Sequence, residues 1–275
     1  MHAKLGIIAG NRLLPLLLAQ RIKEKNKDCR TVAVCFKGET DPSIARYTDS
    51  QHWIRVGELG RLKTILAQQG ITQCLMAGQI NPLRVFRRKD WDQELISLVE
   101  ETRDFRPHTI FKAIISSLEE QGLEFVDSTS YLKDDLAQDG PMNNLPLNTN
   151  LEQDIDFGLK LISGFVELDV GQTVTVKQGL AGALESLEGT DRTIKRGFRI
   201  CGPGCTVLKF SKANQDLRFD VPVVGLATLK LLRKIKASGL VLESGRVIIL
   251  EKVKFLSLAE KWGIPVVGRR QSKPY

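Results

Sequence analysis

The stretch Lys4-Leu-Gly-Ile-Ile-Ala-Gly10-Asn11 decides the fold class of this chain. Lys4 to Ala9 is a short apolar run of the kind that forms a buried strand, and Gly10 follows it as a turn residue. Leu13 to Lys25 then has helical spacing, with Pro15 in the first turn, where proline is tolerated. A strand, a turn and a helix in this order predict the first βα unit of a parallel sheet.

The same alternation continues along the first half of the chain. The further predicted elements are strands at Thr31–Phe36, Trp53–Val56, Gln73–Ala77 and Leu123–Val126, and helices at Leu59–Gln69, Trp91–Glu101 and Thr109–Gln121. Strands that alternate with helices are typical of a parallel sheet covered on its faces. We therefore predict an α/β protein whose residues 1–130 form a Rossmann-like parallel-sheet domain.

Residues 131–150 differ from both flanks, because Asn143-Asn144-Leu-Pro-Leu-Asn-Thr-Asn150 is polar and rich in turn formers. This composition predicts a linker over 131–150, followed by a second α/β domain over 151–275. The predicted elements of that domain are a helix at Glu152–Ser163, a hairpin of Asp169–Val176 and Leu180–Leu187, a strand at Thr206–Phe210, a basic helix at Gly225–Ser238, strands at Leu240–Leu242 and Arg246–Leu250, a helix at Leu256–Trp262 and a last strand at Pro265–Val267.

The composition is that of a soluble globular protein, with 275 residues, of which 42% are hydrophobic and 26% are charged. No apolar run approaches the roughly 18 residues that span a bilayer, and the N-terminus has the pattern of a strand rather than of a signal peptide. The odd number of cysteines, scattered along the chain, indicates reduced thiols. Together these features predict a cytoplasmic protein.

The net charge of +8 and the pI near 9.3 favour an anionic partner. No helix-turn-helix, zinc-finger or RNP-type aromatic motif accompanies the charge, so we predict that the partner is not a nucleic acid. The basic residues are densest at 84–89 and 230–236. Because such clusters draw proteins to anionic lipids, we expect peripheral contact with the inner-membrane surface.

Two groups of carboxylates in the second half stand beside Gly, Thr or Pro, which favours exposed loops at the ends of strands or helices. The first is Glu185-Ser-Leu-Glu188-Gly-Thr-Asp191, and the second contains Asp216 and Asp220. A hard cation such as Mg²⁺ binds one or two carboxylates together with substrate phosphates. These residues therefore offer a divalent-cation site, and the alternative is that both groups are solvated surface.

If the second group is extended, Asp216, Arg218 and Asp220 share one face. The guanidinium then either forms a structural ion pair with the two carboxylates or contacts a phosphate. Lys209, on the preceding predicted strand, either faces a diphosphate as a point charge or is an ordinary exposed lysine.

The turn after the first strand is a second candidate ligand site, because backbone N–H groups at a helix start bind phosphate or a nucleotide edge. Gly10 lies in this turn, and Met76-Ala-Gly78 ends a later strand that reaches the same edge of a parallel sheet. The full G-x-G-x-x-G pattern is absent, since Leu14-Pro15 takes the place of the later glycines. A dinucleotide site is therefore disfavoured, and a plain strand-to-helix turn is the alternative.

Short phrases run in order from residue 4 to residue 268: Gly6-Ile-Ile-Ala-Gly10, Leu14-Pro15, Asp41-Pro42, Gly57-Glu-Leu-Gly60-Arg-Leu-Lys63, Met76-Ala-Gly78, Asp169-Val-Gly-Gln172, Glu188-Gly-Thr-Asp191, Gln215-Asp216-Leu-Arg-Phe-Asp220-Val-Pro and Trp262-Gly-Ile-Pro-Val-Val-Gly268. This ordered set resembles the UDP-2,3-diacylglucosamine pyrophosphatases of the LpxI type. The resemblance implies hydrolysis of the diphosphate of UDP-2,3-diacylglucosamine to 2,3-diacylglucosamine 1-phosphate (lipid X) and UMP, in lipid A biosynthesis. It also implies Mg²⁺ or another divalent cation, a substrate bound between two domains, and attack by water on the sugar-side phosphorus.

On this resemblance, the domain over 151–275 is the catalytic one. Asp216 or Asp220 holds the metal or orients the attacking water, and Glu188 and Asp191 complete the cation site. The implied substrate contacts are Gly10, Asn11, Leu14, Gly78, Gln172, Thr190, Lys209 and Arg218. Relatives carry an acidic pair near the position of His108 in this chain. The histidine either replaces that pair in contact with the substrate or caps a helix.

Two other functions fit the same residues. A nucleotide-sugar or NAD-dependent enzyme would use the N-terminal sheet, and a non-enzymatic carrier would bind nucleotide or lipid without turnover. The residues alone do not separate the carrier from the hydrolase, because both would bind the same ligand. A homodimeric state is left open.

Overall fold

A computed structural model describes residues 4–81, 84, 87–103, 107–168, 170–212, 215–218 and 220–271. The chain divides into two units: the first comprises the chain up to Leu132 and the segment Leu217–Phe219, and the second comprises Lys133–Asp216 and the chain from Asp220 onward. The predicted linker, 131–150, contains a short strand and the start of a helix that belong to the second unit. The side chain of His108 and the predicted strand residue Asp169 lie outside the described residues.

The first unit is built on a five-stranded parallel sheet. Its strands are β1 (Lys4–Ala9), β2 (Arg30–Phe36), β3 (Ser50–Ile54), β4 (Gln73–Ala77) and β5 (Glu124–Phe125), and its helices are α1 (Leu14–Lys25), α2 (Leu59–Gln68), α3 (Gln93–Thr102) and α4 (Pro107–Glu119). The strand order β3-β2-β1-β4-β5 places a topological switch between β1 and β4. The predicted parallel α/β sheet is confirmed.

Alternation along the strands of the first unit creates its core. Ile8 of β1 and Val34 of β2 belong to one buried cluster with Leu62 and Leu66 of α2 and Leu95 of α3. Because successive strand residues point to opposite faces, their neighbours supply the other face of the sheet. The near-continuous apolar runs of β1 and β2 are explained by this burial on both sides.

The second unit contains a six-stranded mixed sheet of order β6-β13-β11-β9-β7-β8. Its strands are β6 (Gly140–Pro141), β7 (Thr173–Lys177), β8 (Leu180–Leu184), β9 (Thr206–Lys209), β11 (Gly239–Glu243) and β13 (Val266–Arg269), and a separate parallel pair is formed by β10 (Val223–Val224) and β12 (Ile248–Ile249). Strands β9, β11 and β13 are parallel, whereas β7 runs antiparallel to β9.

Helices cover both faces of this sheet. They are α5 (Thr149–Glu167), α6 (Thr190–Cys201), α7 (Leu226–Lys234) and α8 (Lys252–Lys261). Ile155 and Ile162 of α5 share a buried cluster with Leu208 of β9. A different cluster joins Ile194 of α6 to the residues of α7 and α8. Among the described residues, no helix is both long enough and apolar enough to cross a membrane.

Helix α6 is missing from the sequence-based prediction, which treated its first turn as part of an exposed acidic loop. Gly189 and Gly197 lower the helical propensity of this segment. Gly189 is the N-cap with a φ of 81°, and Gly197 lies where the helix crosses β7. A Cβ on Gly197 would be 2.1 Å from Thr175 Oγ1, so the glycine is required by the close approach of helix and sheet.

We expect Gly197→Ala to destabilise the protein by about 1–3 kcal/mol, because the new methyl group overlaps with Thr175. Gly164→Ala is the matched control, since Gly164 lies in α5 and a Cβ there meets nothing within 4 Å. That substitution should be neutral or stabilise by about 0.5–1 kcal/mol. Chemical denaturation of both variants measures the difference. Equal denaturation midpoints for the two variants would show that a methyl group at position 197 does not overlap with Thr175 of β7.

Candidate active site

The carboxyl edge of the second sheet gathers buried polar side chains. Strand β9 ends at Lys209 and the parallel strand β11 ends at Glu243, while the antiparallel strand β7 begins opposite Lys209 at Thr173. All three side chains are buried. In open α/β sheets the crevice outside the carboxyl ends of the strands is where ligands bind, so this edge is the candidate active site of the second unit.

Lys209 is 5% exposed, which overturns the alternative that it is an ordinary surface lysine. Its Nζ donates a hydrogen bond of 2.8 Å to Thr190 Oγ1 at the start of α6. The Thr190 hydroxyl also accepts from Thr173 Oγ1 at 3.2 Å and donates to the Glu185 carboxylate at 3.4 Å. A buried ammonium needs such compensation, because removing an ion from water is costly.

Glu185 is 6% exposed, so the prediction that the first acidic group forms an exposed loop is wrong for this residue. It directly follows β8, and its backbone N–H donates to Thr173 O at 2.8 Å. A Cβ on Gly171 would be 2.2 Å from Glu185 O, so the glycine permits the two segments to touch. This contact extends the pairing of β7 and β8 and holds Glu185 near Thr190.

Gln172 lies beside Lys209, because its carbonyl accepts a hydrogen bond of 2.9 Å from the backbone N–H of Phe210. Its side-chain Oε1 is buried and has no hydrogen-bond partner among the residues that the structure describes. A buried polar atom of this kind is expected to be satisfied by a ligand or by water. The structure thus brings together Gln172, Thr190 and Lys209, three of the predicted substrate contacts.

A second buried group at the same edge was missed by the sequence analysis. Ser211 N donates to Glu243 Oε2 at 2.6 Å, and Ser211 Oγ donates to the same oxygen. Arg246 Nη1 donates to Ser211 Oγ at 3.2 Å. The signal in the sequence was the position of Ser211 and Glu243 directly after or at the end of predicted parallel strands.

Asp216 and Asp220 lie on one turn, in which Asp220 N donates to Asp216 O at 2.9 Å. The expectation of an extended segment with Asp216, Arg218 and Asp220 on one face is therefore wrong, because an i to i+4 hydrogen bond closes the backbone on itself. Arg218 belongs to the first unit, as Glu119 does, and its Nη1 forms an ion pair of 2.7 Å with Glu119. The neighbouring Gln215 accepts from Lys212 N at 2.8 Å.

Glu188 and Asp191 face different partners. Arg196 Nε donates to Glu188 Oε1 at 3.2 Å, and Ser186 N donates to Glu188 Oε2 at 3.0 Å. Asp191 Oδ1 accepts from Thr228 Oγ1 at 3.0 Å. Across the described ranges, His, Cys, Asp and Glu side chains nowhere form a group of three that could hold a metal ion. Any divalent cation would thus depend on one or two carboxylates and on oxygens of the substrate.

The hydrogen bond from Arg196 lowers the pKa of Glu188 from 4.5 to about 2. Because the folded-state pKa is lowered, the pair stabilises the protein above pH 4.5, and this stabilisation is lost as the pH falls towards about 2. Solvent screening keeps the contribution small. We expect Glu188→Gln to lower stability at neutral pH but not near pH 2, as followed by urea denaturation across this range. A pH-independent difference would contradict the ion pair.

The first unit presents a separate polar edge at the switch between β1 and β4. Gly10 N donates to Ala77 O at 2.8 Å, and Asn11 N donates to Gln79 O at 2.6 Å. A Cβ on Gly78 would be 2.4 Å from Asn11 O, so that position requires glycine. The predicted contacts Gly10, Asn11 and Gly78 are therefore adjacent.

Asn11 also connects to an acidic residue that the sequence analysis did not select. Its Nδ2 donates to Glu39 Oε2 at 2.6 Å, and Glu39 forms an ion pair of 3.0 Å with Arg84 Nε. Asn11 Oδ1 is buried without a hydrogen-bond partner in the described part of the chain. Leu14 is buried at the start of α1, where its side chain contributes to the core.

These features define the class: an α/β protein of two units, each with buried polar groups at the carboxyl edge of a sheet. Comparison with known proteins adds the family. The LpxI N-terminal domain matches residues 4–135, and the LpxI C-terminal domain matches residues 138–267. The chain belongs to the LpxI family and is therefore a pyrophosphatase enzyme, which confirms the family and the enzyme class predicted from the sequence.

One curated relative is the UDP-2,3-diacylglucosamine pyrophosphatase LpxI of Caulobacter vibrioides, which is 25% identical over 96% of this chain and 97% of its own length. Among solved structures, the biotin carboxylase domain of the 2-oxoglutarate carboxylase of Hydrogenobacter thermophilus is similar over 72% of this chain and 41% of that chain. Its identity is 13% and the TM-score is 0.28, so this likeness carries no argument about function.

Proposed function

We propose that this enzyme hydrolyses the diphosphate of UDP-2,3-diacylglucosamine, giving 2,3-diacylglucosamine 1-phosphate (lipid X) and UMP in lipid A biosynthesis. The observation that carries the proposal is the match of both LpxI domains, in order, over 4–135 and 138–267. The similarity to the Caulobacter vibrioides pyrophosphatase, which spans nearly both chains, supports the same substrate.

The bond changes of the proposed reaction are simple. A water oxygen forms a bond to the sugar-side phosphorus, and the bond from that phosphorus to the bridging oxygen breaks. UMP leaves with the bridging oxygen, and lipid X receives the water oxygen. Transfer of this kind requires mainly positioning and electrostatic stabilisation, so a few charged groups are sufficient.

Lys209 is the residue that we assign to the diphosphate. Its ammonium is buried, ends β9 and is held by Thr190, so its position is fixed before the substrate binds. A preorganised charge in a site of low dielectric stabilises developing negative charge better than a solvated one. The unpartnered Gln172 Oε1 would accept a hydrogen bond from a hydroxyl or amide of the substrate.

Asp216 and Asp220 are assigned to the attacking water and to the cation. They lie on one turn in the connection that follows β9. Two carboxylates with substrate phosphates meet the requirement of Mg²⁺, which otherwise keeps its waters, and the residues present fit the ion in this sense. When bound, Mg²⁺ supplies positive charge at the phosphoryl oxygens. Glu188 and Asp191 remain candidate contributors, although each already has a partner.

The assignments at the first unit are the backbone of Gly10 and Gly78 and the side chain of Asn11, which would contact the nucleotide. Because the substrate carries two acyl chains, we propose that the enzyme works at the cytoplasmic surface of the inner membrane. A homodimer stays a prediction that light scattering of the purified protein would test.

A hydrolysis assay tests the proposal. Purified protein is incubated with UDP-2,3-diacylglucosamine in water labelled with oxygen-18, with Mg²⁺ or with EDTA, and products are followed by mass spectrometry. We expect release of lipid X and UMP that depends on the metal, with the label in lipid X. Label in UMP would show instead that water attacks the phosphorus on the uridine side. Binding of the substrate without release of products would indicate a non-enzymatic carrier. Binding of NAD or of another nucleotide sugar would indicate the nucleotide-sugar or NAD-dependent enzyme.

A further inference from the structure

Helix α6 carries cations along the side that faces away from the protein. Its buried side is formed by Thr193, Ile194 and Gly197. The cations recur at helical spacing on the opposite side, and all four are exposed. They are Arg192, Lys195, Arg196 and Arg199, and we call them the α6 cationic face. Together with Glu188 they line an open depression of about 600 Å³.

Most of this charge is not neutralised by the protein. Arg196 pairs with Glu188. Within the described ranges, Arg192, Lys195 and Arg199 have no acidic partner in an ion pair. Three cations on two turns of helix repel one another, so the arrangement favours an anionic partner that covers the helix.

Exposed apolar side chains stand near both ends of the α6 cationic face. Leu187 is fully exposed and precedes the helix N-cap by two residues in the chain. Lys177 Nζ donates to Cys201 O at 2.7 Å, which ties the turn between β7 and β8 to the C-terminal end of α6. Leu180, the first residue of β8 after that turn, is 69% exposed, and Ile200 on the last turn of α6 is 64% exposed. Large apolar residues clustered around an exposed surface mark an interaction site.

We propose that the α6 cationic face and its flanking residues Leu187, Leu180 and Ile200 dock on an anionic phospholipid bilayer. Lys and Arg side chains are attracted to anionic headgroups, and flanking leucines enter the boundary with the acyl chains. A second copy of the same face is a poor partner, because a two-fold contact would oppose its cations to themselves. Docking would hold the enzyme where a lipid-linked substrate lies, and only this purpose of the surface rests on the proposed function.

The dense basic run noted in the sequence, 230–236, lies on and just after α7 and provides a matched control. The test variant is R192Q/K195Q/R199Q, and the control is K230Q/K234Q/K236Q, which removes three exposed lysines. Both lose three positive charges, so total charge is the same and only the surface differs. A third variant, Leu187→Ser, tests the apolar contribution.

Cosedimentation with vesicles decides the proposal. Wild-type protein should bind vesicles of phosphatidylcholine mixed with phosphatidylglycerol, and raised salt should release it. It should not bind phosphatidylcholine alone. The α6 variant should partition on the order of 100-fold less, since each cation contributes about fivefold. The control should bind as wild type does, and Leu187→Ser should bind several-fold less.

Wild-type binding by the α6 variant, or equal loss in the control, would overturn the proposal. A change of oligomeric state in the α6 variant would instead assign this face to contact between copies. Hydrolysis of detergent-dispersed substrate is measured in parallel and should be the same for wild type and the α6 variant. If no protein hydrolyses the substrate, the proposed function fails, and the vesicle measurement still decides the docking surface.

Discussion

Replacement of Lys209 by methionine is expected to lower turnover of UDP-2,3-diacylglucosamine by about 10²–10³-fold, the usual cost of losing one preorganised charge at a transition state. Methionine keeps the length and the apolar stem of the side chain but removes the ammonium. The hydrogen bond to Thr190 and the positive charge at the end of β9 are then both lost. The measurement is steady-state hydrolysis with release of UMP.

This variant also leaves Glu185 with less compensation, so a structural effect has to be separated from a direct one. K209M/E185Q removes both of the buried charges that hydrogen-bond to Thr190, so that neither is left without the other, and stability should recover relative to K209M. Turnover should stay low if Lys209 contacts the diphosphate, whereas recovery of turnover would make Lys209 a purely structural residue. Lys160→Met removes an exposed lysine of the same unit and should retain full activity.

Substitution of Asp216 or Asp220 by asparagine is the second change expected to have a large effect. A residue that orients or deprotonates the attacking water should lose about 10²–10⁴-fold in turnover, and asparagine preserves its shape. The two roles assigned to this pair make different predictions. A variant that has lost a metal ligand should recover with higher Mg²⁺, while a variant that has lost the base should not recover and should lose the acidic limb of its pH profile.

Asp156→Asn is the control for this pair, because Asp156 is an exposed carboxylate on α5. It should leave both turnover and the Mg²⁺ requirement unchanged. Full activity of D216N and of D220N would remove both residues from the mechanism. The remaining acidic residues at the sheet edge, Glu185 and Glu243, would then be the next to test.

Much of the fold was predictable because it depends on local patterns. The apolar runs of β1, β2 and β4 and the helical spacing of α1 and α2 are local signals, and the structure confirms a parallel sheet there. Helix α6 was not predictable in this way. Gly189 and Gly197 lower its helical propensity, and the requirement for glycine at 197 follows only from its contact with Thr175 of β7.

The candidate site was likewise predictable only where its position depends on a local pattern. Gly10 and Gly78 could be selected because a strand-to-helix turn in a parallel sheet has a known position at the carboxyl edge. The burial of Glu185 could not be predicted, because a carboxylate beside turn residues looks like solvated surface until the fold is known. Ser211 and Glu243 were missed although both directly follow predicted parallel strands. The extended arrangement expected for Asp216 and Asp220 is wrong, because the backbone hydrogen bond from Asp220 N to Asp216 O forms in the folded chain and has no signal in the local sequence.

The sequence by itself determined the α/β class, the parallel N-terminal sheet and the family, since these depend on residue patterns and ordered motifs along the chain. Only the tertiary structure decided that Lys209, Thr190 and Glu185 meet, because strands β8 and β9 and helix α6 bring them together across separate elements. It also decided that the cations of α6 point outward. Hydrogen bonding and burial are properties of the packed chain, and no local pattern carries them.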